Sequence, residues 1–285
     1  MQPWLAEAER AWRQGSPWGD VPMDALAALL AGLSPGRRVL VVVDEEDTAE
    51  RLLRGLRFFV DPRAVEPFPA DDVRPYDGFS PSADAPSRRM RTLARWERGD
   101  ALVVVACARA LLQRVPDGEA RRAARLDLEP GRRLDREALV GHLTAVGYLA
   151  TAAVSEVGQF SVRGDVVDLW VPGSAAPRRV DFLDDEVETL RQIDPRTGRT
   201  LRRLQRVVVL PLREEALTPP ALDRCQAELG RLVGEQGRGA ALRRRVVEDL
   251  RAGIRFSGLQ DLLPALTGVE APLAAPSGAE LVSAG

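Results

Sequence analysis

Residues 158–194, GQFSVRGDVVDLWVPGSAAPRRVDFLDDEVETLRQID, are the stretch that decides how this chain folds. Runs of valine, leucine, phenylalanine and tryptophan of strand length alternate here with clusters of glycine, proline and aspartate. Those clusters predict turns at residues 172–177, 184–186 and 194–198. The stretch therefore predicts a compact antiparallel sheet of hairpins, and it raises the question of what the solvent-facing side of that sheet does.

Residues 1–120 show a different pattern, in which apolar runs alternate with helical segments. Residues 39–43 and 101–105 are uninterrupted apolar runs, typical of strands covered on both faces. Residues 64–68 predict a short third strand. The helices are predicted over residues 23–33, 47–58, 88–98 and 108–115. This alternation predicts an α/β domain with a parallel sheet over residues 1–120.

The hairpins belong to a second predicted domain, of α+β type, over residues 121–213. A helix over residues 135–146 precedes the hairpins, and Asp135 has the chemistry of its N-cap. Residues 214–285 are predicted to form a mainly helical segment that packs back on the first domain. Its expected elements are helices at residues 219–232 and 240–252 and the beginning of a strand at residues 279–282.

The absence of lysine excludes several classes of enzyme. All 40 basic residues are arginine, whereas a P-loop needs a lysine on the nucleotide phosphates and Schiff-base chemistry needs one as the amine. The single histidine, His142, lies within a predicted helix and is expected to be an ordinary surface residue. We therefore predict no catalytic residue, no cofactor and no metal site in this chain.

Composition and charge indicate a globular protein without a strong electrostatic preference for polyanions. Of 285 residues, 45% are hydrophobic and 29% are charged, and the formal net charge is −2. No apolar run approaches the roughly 20 residues of a membrane span, so no membrane association is expected. The sequence starts without a signal-peptide pattern. Cys107 lies in an apolar run and is expected to be buried, and a cytoplasmic location follows as the default.

Two other function classes remain open from the residues alone. The acidic run Asp44-Glu45-Glu46-Asp47 follows a strand and could hold a metal ion for an ATPase or a nuclease, although acidic residues there more often favour the start of the next helix. The arginines of the α/β domain and of the C-terminal helices could instead bind DNA, which salt-dependent binding to a duplex would reveal.

The hairpin sequence resembles a known family of DNA-repair domains. RGDVVDLWVP at residues 163–172 and RVDFLDDEVE at residues 179–188 are similar to the UvrA-binding domain shared by UvrB and the transcription-repair coupling factors, the Mfd family. PYDGFSP at residues 75–81 resembles the coupling-factor version of its loop, and the missing lysine argues against UvrB. The resemblance implies a degenerate UvrB-like α/β domain without a nucleotide site, carrying an inserted UvrA-binding domain.

The resemblance also implies where the partner binds. In the family two arginines and an aromatic residue dock on UvrA, and the matching positions are Arg163, Arg179 and Leu183, where leucine replaces the usual phenylalanine. Strand alternation agrees in part, because Val180 and Phe182 would face the core and Arg179 and Leu183 the solvent. On the preceding strand the parity is less clear, and placing Arg163 on the outer face requires a bulge at Gly164 that switches faces.

A second interpretation of the same arginines is purely structural. Arg163 and Arg179 could pair with Asp165, Asp181 or Glu186 on a solvated sheet. The resemblance favours the interface, with UvrA as the partner in transcription-coupled nucleotide-excision repair. It further implies that ATP, RNA polymerase and duplex DNA are bound by motor and polymerase-binding domains that this chain, expected to be truncated, lacks. The alternative is a UvrB-like DNA-binding or remnant ATPase domain.

Overall fold

The computed structural model describes two compact units. The first unit comprises Met1–Asp71, Thr92–Arg114 and Ala271–Gly285, and the second comprises Asp72–Arg91 and Val115–Glu270. The three predicted domain ranges remain predictions. The residues that the structure describes are 10, 14, 21–73, 82–100, 102–233, 238–273 and 279–284.

A four-stranded parallel sheet forms the centre of the first unit. Its order is β14-β1-β3-β2, and all three pairings are parallel. Every residue of β3 and of β2 is buried, as expected for a sheet covered on both faces. The strands are β1 (Arg38–Val43), β2 (Val65–Phe68), β3 (Leu102–Cys107) and β14 (Ala279–Ala284).

Two amphipathic helices of the first unit pack closely against each other. Met23–Leu33 and Glu46–Phe59 bury leucines at helical spacing, and Gly55 lies where a β-carbon would be only 3.0 Å from Ala27 Cβ. A side chain at position 55 would therefore require a small shift between the two helices. A 3₁₀ turn at Pro62–Ala64 leads into β2.

Two predicted segments differ from the structure. The helix predicted over residues 108–115 ends at Leu112, and β4 (Val115–Pro116) pairs with β13 (Val269–Glu270) instead. Pro116 explains the difference, because proline restricts the preceding residue to extended conformations. The helix expected from residue 88 begins earlier, as Asp84–Arg98, since Pro86 is tolerated in a first turn. The predicted loop at residues 75–81 lies outside the described residues.

A six-stranded sheet dominates the second unit. Its order is β11-β10-β9-β8-β7-β6, antiparallel except for the β6–β7 pair. A smaller antiparallel pair joins β5 (Leu126–Leu128) to β12 (Val207–Val209). The strands of the large sheet are β6 (Leu149–Ala150), β7 (Gln159–Arg163), β8 (Val166–Leu169), β9 (Arg178–Leu183), β10 (Glu186–Ile193) and β11 (Thr200–Leu204).

Helices complete the second unit. Arg136–Ala145 starts at Asp135, whose side chain accepts a hydrogen bond from Ala138 N as predicted for an N-cap. A buried ion pair joins Arg89 to Glu214, with guanidinium-to-carboxylate distances of 2.7 and 3.0 Å. The remaining helices are Gly118–Ala123, Pro219–Val233, Arg238–Arg251, Leu263–Leu266 and the 3₁₀ turn Leu259–Leu262.

These elements confirm the predicted fold class, a parallel α/β sheet together with an α+β antiparallel sheet and a helical segment. Cys107 is buried, as expected. In the part of the chain that the structure describes, no helix has both the length and the apolar character needed to cross a bilayer.

Candidate functional site

Short turns fix the register of the sheet that carries the predicted site residues. Gly164 and Asp165 form the loop between β7 and β8, with Arg163 opposite Val166. Gly164 has φ +57°, a conformation that glycine adopts without steric cost. The predicted bulge at Gly164 is therefore wrong, because the residue belongs to a two-residue hairpin loop.

One face of the sheet is buried against the Arg136–Ala145 helix and the smaller sheet. Phe160 lies opposite Leu169, and Val167 lies opposite Val180, so these side chains point to the same side. All of them are buried in one apolar cluster. Arg163 has the opposite parity to Phe160 and Val162, which lie opposite the buried Leu169 and Val167, so it lies on the other face without any bulge. We call that opposite side the outer face.

Leu183 and Arg163 are the exposed members of the predicted site. Val180 and Phe182 are buried, as predicted, whereas the exposed fraction of Leu183 is 62%. Leu183 lies at the end of β9, immediately before a tight loop at Asp184 with φ +52°. Arg163 donates a hydrogen bond from Nη2 to the carbonyl of Ala152 at 3.0 Å, which fixes one edge of an exposed guanidinium.

Arg179, in contrast, is held by a carboxylate. Its Nε and Nη2 donate to the two carboxylate oxygens of Asp168 at 2.7 and 2.8 Å, the two-pronged geometry that guanidinium and carboxylate favour. Asp168 lies directly opposite Arg179 in the register and is nearly buried. This hydrogen bond, aided by the charges of Asp168 and Asp181, raises the pKa of Arg179.

A second ion pair continues the same row of side chains. Arg191 lies opposite Arg179 on β10 and donates to both carboxylate oxygens of Asp181, its Nε at 2.9 Å. Arg203 lies opposite Arg191 on β11 and is exposed. Arginines from three neighbouring strands therefore form one row across the outer face, and the first two are neutralised within the sheet.

The register brings the three predicted residues into one patch. Arg163 lies opposite Val166, which lies opposite Asp181, so Arg163 is about 10 Å from Asp181 at the usual strand spacing. Arg179 and Leu183 stand two residues to either side of Asp181, each about 7 Å away. Two guanidiniums and an exposed leucine thus surround a carboxylate that is already paired, which suits a mixed polar and apolar contact with another protein.

Asp168, Arg191 and Arg203 are the residues of this face that sequence reasoning missed. Neither the interface interpretation nor the ion-pair interpretation of Arg179 included Asp168 as its partner. The register between β8 and β9 depends on a loop over residues 170–177, whose length does not fix which residues face each other. Arg191 could have been found, since the two-residue loop at residues 184–185 sets the approximate pairing of β9 with β10.

The alternative metal site is not assembled in the structure. Glu46 accepts hydrogen bonds from the Cys107 thiol at 3.0 Å and from Ala70 N at 3.3 Å, and Asp44 accepts one from Glu45 N. Within the described ranges, no group of three or more histidine, cysteine or acidic side chains is arranged to hold a metal ion.

His142 is half-buried rather than a surface residue. Its Nε2 is enclosed and has no hydrogen-bond partner among the described residues. Burial lowers the pKa of His142, and the nearby charge of Arg132 lowers it further, against an opposing hydrogen bond at the backbone of Ala124. The imidazole is therefore held neutral within the fold, away from the outer face.

The fold and its outer face define the class of domain. Residues 126–214 match the family model of the UvrB interaction domain, and these residues contain the whole six-stranded sheet and the helix beneath it.

Relatives that match most of the chain indicate the same family. The chain is 33% identical over 245 residues to the transcription-repair-coupling factor of Myxococcus xanthus, covering 83% of this chain and 20% of the relative. It is 32% identical over 199 residues to that of Escherichia coli (69% and 17%), and 30% over 244 residues to that of Haemophilus influenzae (85% and 21%). The predicted resemblance to the transcription-repair coupling factor family is confirmed, and the chain spans about a fifth of the length of these relatives.

Proposed function

We propose that this chain is a UvrA-binding module that recruits UvrA in transcription-coupled nucleotide-excision repair. One observation carries the proposal: within a UvrB interaction domain, the outer face presents Leu183, 62% exposed, beside Arg163 and Arg179. An exposed leucine between guanidiniums is the composition of a small interface centre. The chemistry predicts a complementary surface on UvrA that is acidic with an apolar spot.

Preorganisation supports this use of the face. Asp168 holds the Arg179 guanidinium in one orientation through two hydrogen bonds, so less side-chain entropy is lost when a partner binds. Arg163 is anchored at one nitrogen by the Ala152 carbonyl, and its side chain is exposed. Both arginines can therefore donate to partner carboxylates without rearranging the sheet.

The chain's own role in this proposal is binding rather than catalysis. It contains no lysine for a nucleotide phosphate, and the Thr189 hydroxyl of the outer face donates to Asp181, a carboxylate that Arg191 already pairs. We therefore propose that the chain works without a cofactor of its own. ATP, RNA polymerase and duplex DNA would be handled elsewhere in proteins of the length of its relatives.

The decisive experiment measures binding of the whole chain to purified UvrA by biolayer interferometry. Arg163→Glu reverses the charge of an exposed side chain, and we expect at least about a 30-fold loss of affinity, the effect of a hot-spot residue. Arg179→Ala should weaken binding similarly, but it also leaves Asp168 unpaired. Arg163→Glu is therefore the cleaner test of the interface.

Arg244→Glu is the matched control, because Arg244 is an exposed arginine on the Arg238–Arg251 helix. It should bind UvrA like the parent chain, and all variants should keep the parent circular dichroism spectrum. Unchanged affinity of a folded Arg163→Glu variant would refute the interface. Salt-dependent binding of the chain to duplex DNA would instead support the DNA-binding alternative.

A further inference from the structure

The opposite side of the same strands carries a second row of polar residues. Arg178 lies opposite Gln192 on β10, and Gln192 lies opposite Arg202 on β11. This row is one residue removed from the Arg179–Arg191–Arg203 row, and alternation places it on the other side of the sheet. It lies at the edge of the apolar core, because buried Leu169 is opposite Arg178, and Leu190 and Leu204 are neighbours of the row on the same side.

In the ranges that the structure describes, Arg178 lacks the carboxylate partner that neutralises the charge of Arg179 and of Arg191. Its side chain is half-buried, and its Nη1 is enclosed without a hydrogen-bond partner among the described residues. Burial lowers the pKa of Arg178, and the charge of Arg202 lowers it further. A guanidinium removed from water and placed near a like charge destabilises the folded state unless an anion is close by.

Gln192 and Arg202, the other two members of the row, add further hydrogen-bonding groups beside Arg178. Arg202 donates from Nε to Gln192 Oε1 at 2.7 Å, which positions its guanidinium beside that of Arg178. Neither arginine forms an ion pair with a carboxylate in the described part of the chain. Two guanidiniums and a carboxamide therefore lie side by side across β9, β10 and β11, and Arg178 Nη1 has a donor that no described residue accepts.

We propose that Arg178, Gln192 and Arg202 form a binding site for a carboxylate side chain presented by a partner protein. A carboxylate matches the planar donor fork of arginine and would supply the missing negative charge. The partial enclosure of Arg178 suits one small anionic group, whereas a nucleic-acid backbone is a continuous line of charge. The net charge of −2 also gives no long-range attraction for a polyanion.

This proposal is independent of UvrA binding, because the site lies on the other side of the sheet from Arg163, Arg179 and Leu183. A partner could therefore occupy it while the outer face is free or occupied. The same hairpins would then serve two docking events, one on each side.

Arginine side-chain NMR on the ¹⁵N-labelled whole chain tests the site. The probes are a short oligoglutamate peptide, inorganic phosphate and duplex DNA, each added separately. The Arg178 Nε–H signal is assigned by its loss in Arg178→Gln. We expect oligoglutamate to shift this signal saturably, and we expect the shift to fall at least about five-fold in Arg202→Gln, which removes half of the charge.

Arg244→Gln is the control for general attraction to an anionic peptide, and it should leave the Arg178 shift unchanged. No movement of the Arg178 signal with oligoglutamate would overturn the proposal. Movement with phosphate or DNA but not with oligoglutamate would overturn the assignment to a protein carboxylate.

A stability measurement gives a second, independent readout. Arg178→Met keeps the apolar stem of the side chain and removes its charge. In chloride buffer without added carboxylate, we expect a higher Tm for Arg178→Met than for the parent chain. A lower Tm would show that the charge of Arg178 is already compensated, and it would overturn the proposal.

Discussion

The two main sheets of this molecule use their side chains in opposite ways. In the parallel sheet, β2 and β3 are buried at every position, including Glu66, whose carboxylate accepts from Arg95 Nη1 at 2.5 Å. In the antiparallel sheet, β9 alternates, with Val180 and Phe182 buried and Leu183 exposed. A sheet covered on both sides leaves its strands no surface for a partner, whereas a sheet covered on one side presents a whole row.

This difference explains where binding can evolve in such a chain. The residues of β2 and β3 are constrained by packing at both faces, so substitution there changes stability first. The outer face of the antiparallel sheet is constrained by solubility and by ion pairs between its own side chains. Its composition can therefore be adapted to a partner while the core beneath it stays the same.

The largest expected effect is the difference in the free energy of unfolding between two variants, each of which places one aspartate in one of the two sheets. Val104→Asp puts a carboxylate at a fully buried position of β3, and we expect it to cost more than about 4 kcal/mol or to unfold the first unit. Leu183→Asp at the exposed end of β9 should change the free energy of unfolding by no more than about 0.5 kcal/mol. Urea titration followed by circular dichroism measures both.

The UvrA affinity of the same pair sharpens the comparison. Leu183→Asp should bind UvrA markedly less well although it is fully folded, because it replaces the apolar spot of the proposed interface with a charge. If Leu183→Asp destabilised the chain as strongly as Val104→Asp, the outer face of the antiparallel sheet would be as sensitive to a charge as the buried strands of the parallel sheet, and the comparison would be wrong.

An intermediate effect is expected at the ion pair of the outer face. Asp168→Ala leaves the Arg179 guanidinium partly buried without its carboxylate, and we expect a loss of about 1–3 kcal/mol in the free energy of unfolding. Asp168→Asn retains an oxygen acceptor and should lose less. Equal stability of Asp168→Ala and the parent chain would show that the pair contributes only to orientation.

The smallest expected effect concerns pH. Because burial lowers the pKa of His142 in the folded chain, the unfolded chain binds a proton more readily, and stability decreases as pH falls below the unfolded value of about 6.5. His142→Gln removes this contribution. We expect the parent chain to lose more stability than His142→Gln between pH 7 and pH 5 in urea titrations. Parallel losses would indicate that His142 does not contribute.

Local patterns in the sequence were sufficient for most of the fold. The Met23–Leu33 helix and the apolar strands β1 and β3 were predicted within one or two residues, because their composition and flanking prolines or glycines allow one structure. The exposure of Leu183 followed from alternation alone. These features depend on neighbours in the chain, which the sequence displays directly.

Which residues pair across long loops could not be predicted from the sequence, for a physical reason. The ion pair between Asp168 and Arg179 depends on a register set by core packing rather than by the loop over residues 170–177. The ion pair between Arg89 and Glu214 joins positions far apart in sequence, and no local pattern indicates which of many arginines is buried. Arg178 and Gln192, in contrast, pair across the same two-residue loop as Arg179 and Arg191, so this part of the second row could have been found.

The pairing of β14 with β1 has a consequence for synthesis on the ribosome. The first unit takes its last strand from Ala279–Ala284, which emerges only after residues 115–270 of the second unit. Until then, β1 is an apolar strand with an unpaired edge, a surface prone to wrong association. The antiparallel unit can therefore finish folding first. The edge of β1 is paired only after residues 115–270 have been synthesised and Ala279–Ala284 has followed them.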